Sequence, residues 1–288
     1  MKKALVTGVS GQLGRALMAT CPDGWECVGL DRAMLDLANA DADAIMRTVD
    51  THLPDLVLNA AAYTAVDRAE SEPDLAHAIN AGAPAAFARA LAGSRARLVQ
   101  VSTDFVFDGT SGRAYLPGDP RNPRSVYGAS KAAGEDGAGD LAIIVRTSWV
   151  HAAGGANFVR TMLRLMRERE TLRVVADQIG SPTWATGLAQ TLWGLAAMDR
   201  PGIWHHRDAG VASWYDFAVA IAEEAHQLGL IGRVPEIVPI ATAEYPTPAC
   251  RPAFSVLDVS ATRAALGDGH VHWRTRLKTM LNEEKALG

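Results

Sequence analysis

The sequence has 288 residues, of which 48% are hydrophobic and 21% are charged. These fractions are typical of soluble globular chains and exclude a disulfide miniprotein, a collagen-like repeat, a coiled coil and a disordered chain. The formal net charge is -4 and no extended block of Lys and Arg occurs, which disfavours general binding to nucleic acid or to a membrane surface.

The cysteines and the apolar segments indicate the cellular compartment in which the protein functions. Cys21, Cys27 and Cys250 lack the close spacing of a zinc or redox motif, so we expect three unpaired thiols and a reducing compartment. The apolar run near the N-terminus is too short for a signal-peptide core. The longest uncharged stretch, residues 178–198, contains glycine and proline, unlike a membrane helix. We therefore expect a soluble cytoplasmic protein.

Short apolar runs alternate with longer Ala- and Leu-rich stretches through the first half of the chain. Apolar strands separated by helical stretches are typical of a parallel sheet that is covered on both faces by helices. The pattern predicts an α/β fold of the Rossmann type with a doubly wound parallel sheet. The predicted strands span residues 4–7, 26–30, 56–59, 98–102 and 141–146.

After about residue 150 the pattern changes. Residues 157–170 and 213–227 carry apolar side chains at helical spacing, which predicts two helices that face a core. Segments with proline and glycine follow, notably residues 235–252. We predict a dinucleotide-binding domain over residues 1–150 and a smaller C-terminal α/β domain over residues 151–288 that mainly binds substrate. The prediction allows part of residues 151–288 to return to the first domain.

A glycine-rich turn follows the first predicted strand. Gly8, Gly11 and Gly14 form G-x-x-G-x-x-G before a helical stretch. Glycine permits positive φ and close backbone approach, and the N-terminus of the helix offers unpaired N–H groups to a pyrophosphate. Asp31, 17 residues after Gly14, ends the second predicted strand, where a carboxylate accepts hydrogen bonds from the adenosine ribose. Arg32 beside it can pair with a 2′-phosphate, so NAD and NADP both stay open.

A second motif carries acid–base chemistry. Tyr127 and Lys131 form Y-x-x-x-K, and this spacing places both side chains on one helix face. A free Tyr has a pKa of about 10, and a nearby ammonium favours its ionised form. Thr103 ends another predicted strand at the carboxyl edge of the sheet, where it can hydrogen-bond a carbonyl oxygen. Together with the glycine turn, these residues predict hydride transfer to or from a nicotinamide cofactor.

Further segments extend along most of the chain: GQLG at 11–14, NAAAYTAVD at 59–67, STDFVF at 102–107, YGASK at 127–131, RTSWV at 146–150, DQ at 177–178, PT at 182–183 and RP at 251–252. With them the sequence resembles the dTDP-4-dehydrorhamnose reductase family of the extended short-chain dehydrogenase/reductase superfamily. The resemblance runs from residue 8 to about residue 258.

The resemblance implies reduction of the 4-keto group of dTDP-4-dehydro-6-deoxy-L-mannose to dTDP-L-rhamnose. Tyr127 would protonate the developing alkoxide, Lys131 would hold the nicotinamide ribose and favour ionised tyrosine, and Thr103 would orient the carbonyl. The implied cofactor is NADP(H), with NAD(H) left open. The implied partner is the dTDP-sugar, with no nucleic acid and no membrane, and a homodimer is left open.

The resemblance also implies which residues bind the ligands. No metal site is predicted, and Arg15, directly after the glycine turn, puts metal-dependent association in doubt. The implied cofactor-binding residues are Gly8, Gly11, Gln12, Leu13, Gly14, Asp31, Arg32, Asp36, Leu37, Ala62, Tyr63, Thr64, Tyr127 and Lys131. The implied substrate-binding residues are Val66, Thr103, Asp104, Trp149, Asn157 and Arg251.

Three alternatives remain at this point. An epimerase or dehydratase of nucleotide sugars would share the glycine turn and the catalytic residues but would return its cofactor oxidised. A regulatory subunit could keep the dinucleotide fold and lack catalysis, since a fold does not establish activity. A reductase could also act on another 4-keto deoxysugar nucleotide, because loops set this specificity.

Overall fold

A computed structural model describes residues 1–267 and 271–288. The first half of the chain alternates strands with helices, as the sequence predicts. Its elements are β1 (Lys2–Thr7), α1 (Gln12–Ala19), β2 (Trp25–Leu30), α2 (Ala42–His52), β3 (Leu56–Asn59), α3 (Val66–Ala69), α4 (Pro73–His77), a π-helical turn (Ala78–Gly82), α5 (Ala83–Ala90), β4 (Arg97–Thr103), a 3-10 turn (Asp104–Val106), α6 (Val126–Ala138) and β5 (Ile143–Thr147).

The second half contains longer helices joined by short strands. Its elements are β6 (Val150–His151), α7 (Phe158–Glu168), β7 (Thr171–Val175), β8 (Ile179–Gly180), β9 (Thr183–Trp184), α8 (Ala185–Met198), β10 (Gly202–His205), β11 (Ala212–Ser213), α9 (Trp214–Gln227), β12 (Glu236–Ile240), a 3-10 turn (Thr242–Glu244), α10 (Ser260–Leu266) and α11 (Trp273–Ala286). The two helices predicted over residues 157–170 and 213–227 correspond to α7 and α9.

A six-stranded sheet forms the centre of the fold, in the order β10-β5-β4-β3-β1-β2. All its strand pairs are parallel. The strand order reverses at β1, which lies between β2 and β3, and ligands of open α/β sheets bind at the carboxyl ends of the strands at such a switch point. This arrangement confirms the predicted Rossmann-type fold.

Both faces of the sheet are covered. On one face α1 and α8 pack against β1, β4 and β5, with Leu17 and Leu188 fully buried. On the other face α2 and α5 pack against β1 and β3, with Phe87 at the centre. Burial of these apolar side chains is the main force that holds the helices on the sheet.

Two elements from beyond residue 150 belong to this first core. α8 packs on α1, and β10 pairs with β5 at the edge of the sheet. The chain therefore returns to the sheet after α7, as the predicted division, which left the chain free to cross back, allows. The division of labour between the predicted domains stays a prediction.

A second core lies between α7, α9, α11 and the parallel pair β7 and β12. Phe217 and Trp273 meet edge to face in it at 5.7 Å between ring centroids. α9 begins with a capping box, in which the Ser213 and Asp216 side chains bond each other's backbone N–H groups. Residues 235–252 are less irregular than the sequence indicates, because β12 pairs with β7 over five residues.

The cysteine prediction is wrong in part. Cys21 and Cys27 form a disulfide, and Cys250 is free and exposed. The turn between α1 and β2 brings the first two cysteines together although they fit no redox motif. None of the helices in the described ranges is both long enough and apolar enough to cross a membrane.

Candidate functional site

The glycine turn lies at the carboxyl end of β1, next to the segment that follows β3. Gly8 has a φ of +69°, and a Cβ there would lie 2.8 Å from the backbone N of Ala61. A Cβ on Gly14 would lie 2.2 Å from the Gly8 carbonyl oxygen. Both contacts are too short for any other residue, so the turn needs glycine at these positions.

The turn leaves the start of α1 open to a ligand. Gly11 is the N-cap and has no side chain to bond the first N–H groups of the helix. These groups and the positive end of the helix dipole attract anions. The residues present therefore fit the pyrophosphate of a dinucleotide.

A cavity of about 760 Å³ extends from this turn along the carboxyl edge of the sheet, and we call it the glycine-turn cavity. Most of the predicted site residues line it, although they come from distant parts of the sequence. These are Gly8, Gly11, Gln12, Leu13, Ala62, Thr64, Val66, Thr103, Asp104, Tyr127, Lys131, Trp149 and Arg251.

Three of these residues form a reactive group on one wall. Thr103 ends β4, and Tyr127 and Lys131 lie one turn apart on α6. Lys131 Nζ donates to the Val101 carbonyl oxygen at 2.6 Å. α6 lies close to the segment after β4 because of Gly128, where a Cβ would come within 2.2 Å of the Phe105 carbonyl oxygen. The tyrosine, lysine and threonine side chains are thus fixed by regular secondary structure.

Burial is the main influence on the pKa values of Tyr127 and Lys131. It raises the pKa of Tyr127 to about 12, and the charge of Asp104 adds to this effect while the Thr103 hydroxyl opposes it. It lowers the pKa of Lys131 to about 8, against the charge of Glu135. Burial is the largest influence on the pKa of Tyr127 in this structure, and the expectation that Lys131 favours ionised tyrosine stays a prediction.

Asp104 adjoins this group. Burial raises its pKa to about 6, and hydrogen bonds from Ser255 and Thr103 oppose the rise. The Thr103 hydroxyl donates to Asp104 Oδ1 at 2.9 Å. That proton must turn toward a substrate carbonyl before Thr103 can polarise it, so Asp104 sets the orientation of the Thr103 hydroxyl.

A buried ion pair joins α6 to β5. Arg146 and Glu135 have side chains only 1% and 2% exposed, and Arg146 Nη2 lies 2.7 Å from Glu135 Oε2. Ser102 Oγ donates to the other Glu135 oxygen at 2.5 Å. Glu135 lies one turn beyond Lys131 on the same helix face. The sequence analysis missed this pair, although Y-x-x-x-K-x-x-x-E signals the shared face.

The opposite wall comes from the second half of the chain. Trp149 stacks on Trp214 at 3.5 Å between ring centroids, with 8° between their planes. Arg251 also lines the cavity, and its guanidinium pairs with Asp67 at 2.7 Å. Trp214 is a residue that the sequence analysis missed: it is the second residue of the helix predicted over residues 213–227, and we assigned that helix to the core.

Arg15 is the other missed residue with a clear role. It lines the cavity, and its guanidinium donates to the carbonyl oxygens of Ser10 at 2.9 Å and Gly154 at 3.1 Å. Asn157 makes a parallel link, since its Nδ2 donates to Gln12 Oε1 at 2.7 Å. These bonds join the glycine turn to the loop before α7.

The remaining predicted residues do not line the cavity. Asp31 Oδ1 accepts from the backbone N–H groups of Ala33 and Met34, which ties the carboxylate into a turn after β2. Arg32 is exposed and pairs with Asp36 at 3.2 Å. Those outside the lining are Gly14, Asp31, Arg32, Asp36, Leu37, Tyr63 and Asn157.

Comparisons of the sequence and the fold with known proteins identify the family of this chain. A family model described as the RmlD substrate binding domain matches residues 1–286. A dTDP-4-dehydrorhamnose reductase of Aggregatibacter actinomycetemcomitans is 40% identical, over 97% of this chain and 98% of that protein. The chain belongs to the dTDP-4-dehydrorhamnose reductase family.

Solved structures support the same assignment. A dTDP-4-dehydrorhamnose reductase from Clostridium acetobutylicum superposes with a TM-score of 0.92 at 36% identity, covering 98% of this chain and 99% of that one. The enzyme from Bacillus anthracis in complex with NADP gives 0.91 at 35% identity, covering 98% and 100%. Membership of the family confirms the prediction of an oxidoreductase.

Proposed function

We propose that this chain reduces the 4-keto group of dTDP-4-dehydro-6-deoxy-L-mannose to give dTDP-L-rhamnose, with Tyr127 as the proton donor. One observation carries the proposal: a glycine turn that fits a dinucleotide and a protonated tyrosine line the same cavity. Reduction of a ketone needs a hydride and a proton, and the two would be delivered from these two parts of the cavity.

The residues of the sheet edge have separate roles in this proposal. A nicotinamide held beside these residues would supply the hydride for C4 of the sugar. Tyr127 gives its phenolic proton to the oxygen of the former carbonyl, and this proton is present at neutral pH because the pKa of the phenol lies well above 7. Thr103 donates to the same oxygen and stabilises the charge that develops there. Lys131 holds the nicotinamide ribose and carries the positive charge beside it.

The cofactor is proposed to be NADP(H), with NAD(H) as the second possibility. Asp31 is held by its own turn, whereas the Arg32 guanidinium is exposed beside it. An exposed guanidinium can pair with a 2′-phosphate at little desolvation cost. The relative from Bacillus anthracis has NADP bound.

The substrate is proposed to lie against the wall from the second half. The stacked pair Trp149 and Trp214 offers a flat apolar surface for a sugar or a base. Arg251 pairs with Asp67 and can exchange this partner for a phosphate of the nucleotide. Val66 and Asp104 would complete the subsite, and Asn157 would act indirectly through Gln12.

An assay with purified protein tests this function. NADPH or NADH absorbance is followed with several keto-deoxysugar nucleotides, and net loss of the reduced cofactor with the 4-keto dTDP-sugar is expected. Turnover without net cofactor consumption would instead identify an epimerase or a dehydratase. Cofactor binding without turnover of any of these sugars would identify a regulatory subunit.

Three broader predictions accompany this proposal. Residues 1–150 would bind the dinucleotide and residues 151–288 mainly the substrate, with α8 and β10 returning to the first domain. The chain would form a homodimer, which light scattering after gel filtration measures. It would work in the cytoplasm, which cell fractionation measures; the Cys21–Cys27 disulfide removes the cysteine argument for this location.

A further inference from the structure

A second cavity, of about 340 Å³, shares no lining residue with the glycine-turn cavity. α8, α10, the start of α11 and the segment after β10 enclose it. Arg207, Arg263, Arg276 and His206 line it, and we call it the arginine cavity. We propose that the arginine cavity binds the phosphate group of a small molecule.

Positive charge exceeds negative charge in this cavity. Three guanidinium groups face one carboxylate, that of Asp208, among the lining residues of the described part of the chain. Asp208 Oδ2 already accepts from the Trp184 backbone N–H at 2.9 Å. An anion would relieve the repulsion between like charges that are held together in a partly buried space.

Arg207 is held in place by neutral groups. Its guanidinium donates to the carbonyl oxygens of Leu257 at 2.7 Å and of Asp208 and Gly210 at 2.9 Å. Burial lowers its pKa, the positive charge of Arg263 lowers it further, and the negative charges of Asp258 and Asp208 oppose these effects. The three carbonyl oxygens therefore fix the position of the Arg207 guanidinium, and the nearby carboxylates offset only part of the effect of burial.

Two buried nitrogens in the cavity wall lack a hydrogen-bond partner. These are His206 Nε2 and Arg276 Nε, in the part of the chain that the structure describes. His206 is only 7% exposed, and its Nδ1 lies 2.9 Å from Thr191 Oγ1. If Thr191 donates to Nδ1, then Nε2 carries a proton and becomes a donor. Buried polar groups are nearly always paired, so an unpaired nitrogen on His206 and another on Arg276, in a cavity that Arg207 and Arg263 also line, indicate a missing acceptor.

The chemistry of the donors favours phosphate. Guanidinium groups present several N–H donors in a planar fork that matches the oxygens of a phosphate. A volume of about 340 Å³ also lies within the range of small-molecule sites, roughly 300–1,000 Å³, so it can accept an organic phosphate as well as the free ion. This inference is independent of the proposed reductase function.

Isothermal titration calorimetry of the full chain tests the site. The probes are inorganic phosphate and ribose 5-phosphate, each titrated with and without saturating NADPH and dTDP, which are the ligands proposed for the glycine-turn cavity. We expect at least one probe to bind with a dissociation constant below about 10 mM and to bind equally in both conditions. Binding of the ester alone identifies an organic phosphate as the ligand, and equal binding of both identifies the phosphate group alone.

Arg263→Gln is the decisive variant, because the Arg263 side chain makes no hydrogen bond or ion pair within the described residues. It should weaken phosphate binding about tenfold or more, since it removes a charge-assisted hydrogen bond. Arg263→Lys keeps the charge and should weaken binding less. The matched control is Arg95→Gln, which removes the same charge from an exposed site and should leave binding unchanged.

The activity of Arg263→Gln without phosphate should equal that of the unmodified protein. The proposal is overturned if neither probe binds, if NADPH and dTDP abolish binding, or if Arg263→Gln binds as tightly as Arg95→Gln.

Discussion

The two walls of the glycine-turn cavity are built in different ways. The sheet-edge wall carries Thr103, Tyr127 and Lys131 on β4 and α6, each at most 9% exposed. The opposite wall carries Trp149, Trp214 and Arg251 on element ends and loops, and all three are half-buried.

The difference in burial between the two walls matches a difference in proposed role. The sheet-edge wall, which we call the first wall, would carry out the chemistry, and the opposite wall, which we call the second wall, would recognise the substrate. Groups that move a proton need fixed positions and a dry environment, because their pKa values depend on burial. Groups that recognise a substrate can lie on connecting segments, where their partners can change. We therefore expect changes in the first wall to act on kcat, and changes in the second wall to act on the KM of the sugar nucleotide.

Tyr127→Phe gives the largest expected effect on the first wall. It removes the proton donor and keeps the ring that packs edge to face on Phe105 at 5.6 Å. We expect kcat to fall about 10³-fold, within the range for general acid catalysis, while the dissociation constant of NADPH stays the same. Steady-state kinetics and a fluorescence titration of NADPH measure these quantities. Near-normal turnover would exclude Tyr127 as the proton donor.

Glu135→Gln tests how much the buried Glu135–Arg146 ion pair, which lies next to the first wall, contributes to stability. It leaves the fully buried Arg146 without its counter-ion, which should lower the free energy of unfolding by about 3–5 kcal/mol. Urea denaturation measures the loss. Glu170→Gln is the control, because the Glu170–Arg233 pair is exposed at the surface and should contribute about 1 kcal/mol or less. Equal losses in the two variants would contradict the role of burial.

The pH dependence of kcat/KM for NADPH distinguishes the titration of Lys131 from that of Tyr127. Lys131 has a pKa of about 8 and loses its positive charge as the pH rises, whereas Tyr127 with a pKa of about 12 keeps its proton. The kcat/KM for NADPH should therefore fall about tenfold per pH unit above pH 8.

Glu135→Gln is a useful control for this profile. The charge of Glu135 raises the pKa of Lys131, so the variant should move the midpoint to lower pH. A profile that stays flat up to about pH 10 would show that the charge of Lys131 is not needed for cofactor use.

Trp214→Ala tests the second wall. It removes the ring that stacks on Trp149, and we expect the KM of the sugar nucleotide to rise about tenfold with kcat changed less than about threefold. Trp214→Phe keeps an aromatic ring and should change the KM less. A large fall in kcat at unchanged KM would break the proposed separation between the walls.

Arg32→Ala gives the smallest expected effect, because the Arg32 side chain is 77% exposed. The KM of NADPH should rise about fivefold while the KM of NADH stays the same, since only NADPH carries the 2′-phosphate. Arg95→Ala is the matched surface control. Equal changes for the two cofactors would remove Arg32 from the cofactor site.

The sequence predicts local features well. The glycine turn, the strand that ends at Thr103, the helix with Tyr127 and Lys131, and the helices α7 and α9 are all present in the structure. Each rests on neighbours a few residues apart, so periodicity and short motifs are sufficient to reveal it.

The sequence predicts distant pairings poorly. β10 has four residues and its own sequence does not identify it as the edge strand of the first sheet, which it becomes only by pairing with β5. The Trp149–Trp214 stack was missed for the same reason. The Cys21–Cys27 disulfide and the Glu135–Arg146 pair join residues that are close in sequence, but each needs a chain reversal to bring its partners together. Their partners meet through chain reversals or packing that no local pattern encodes.

The sequence by itself predicted the fold class, which the structure confirms, and it identified the glycine turn and the Thr103, Tyr127 and Lys131 group, because these depend on local backbone geometry and on residue type. The chemistry of that group stays a prediction. Only the tertiary structure decided which pKa values burial shifts, that Trp214 faces Trp149, and that Arg207, Arg263 and Arg276 share a cavity. The physical reason is that burial and charge proximity depend on distances in space, which packing sets between residues far apart in the chain.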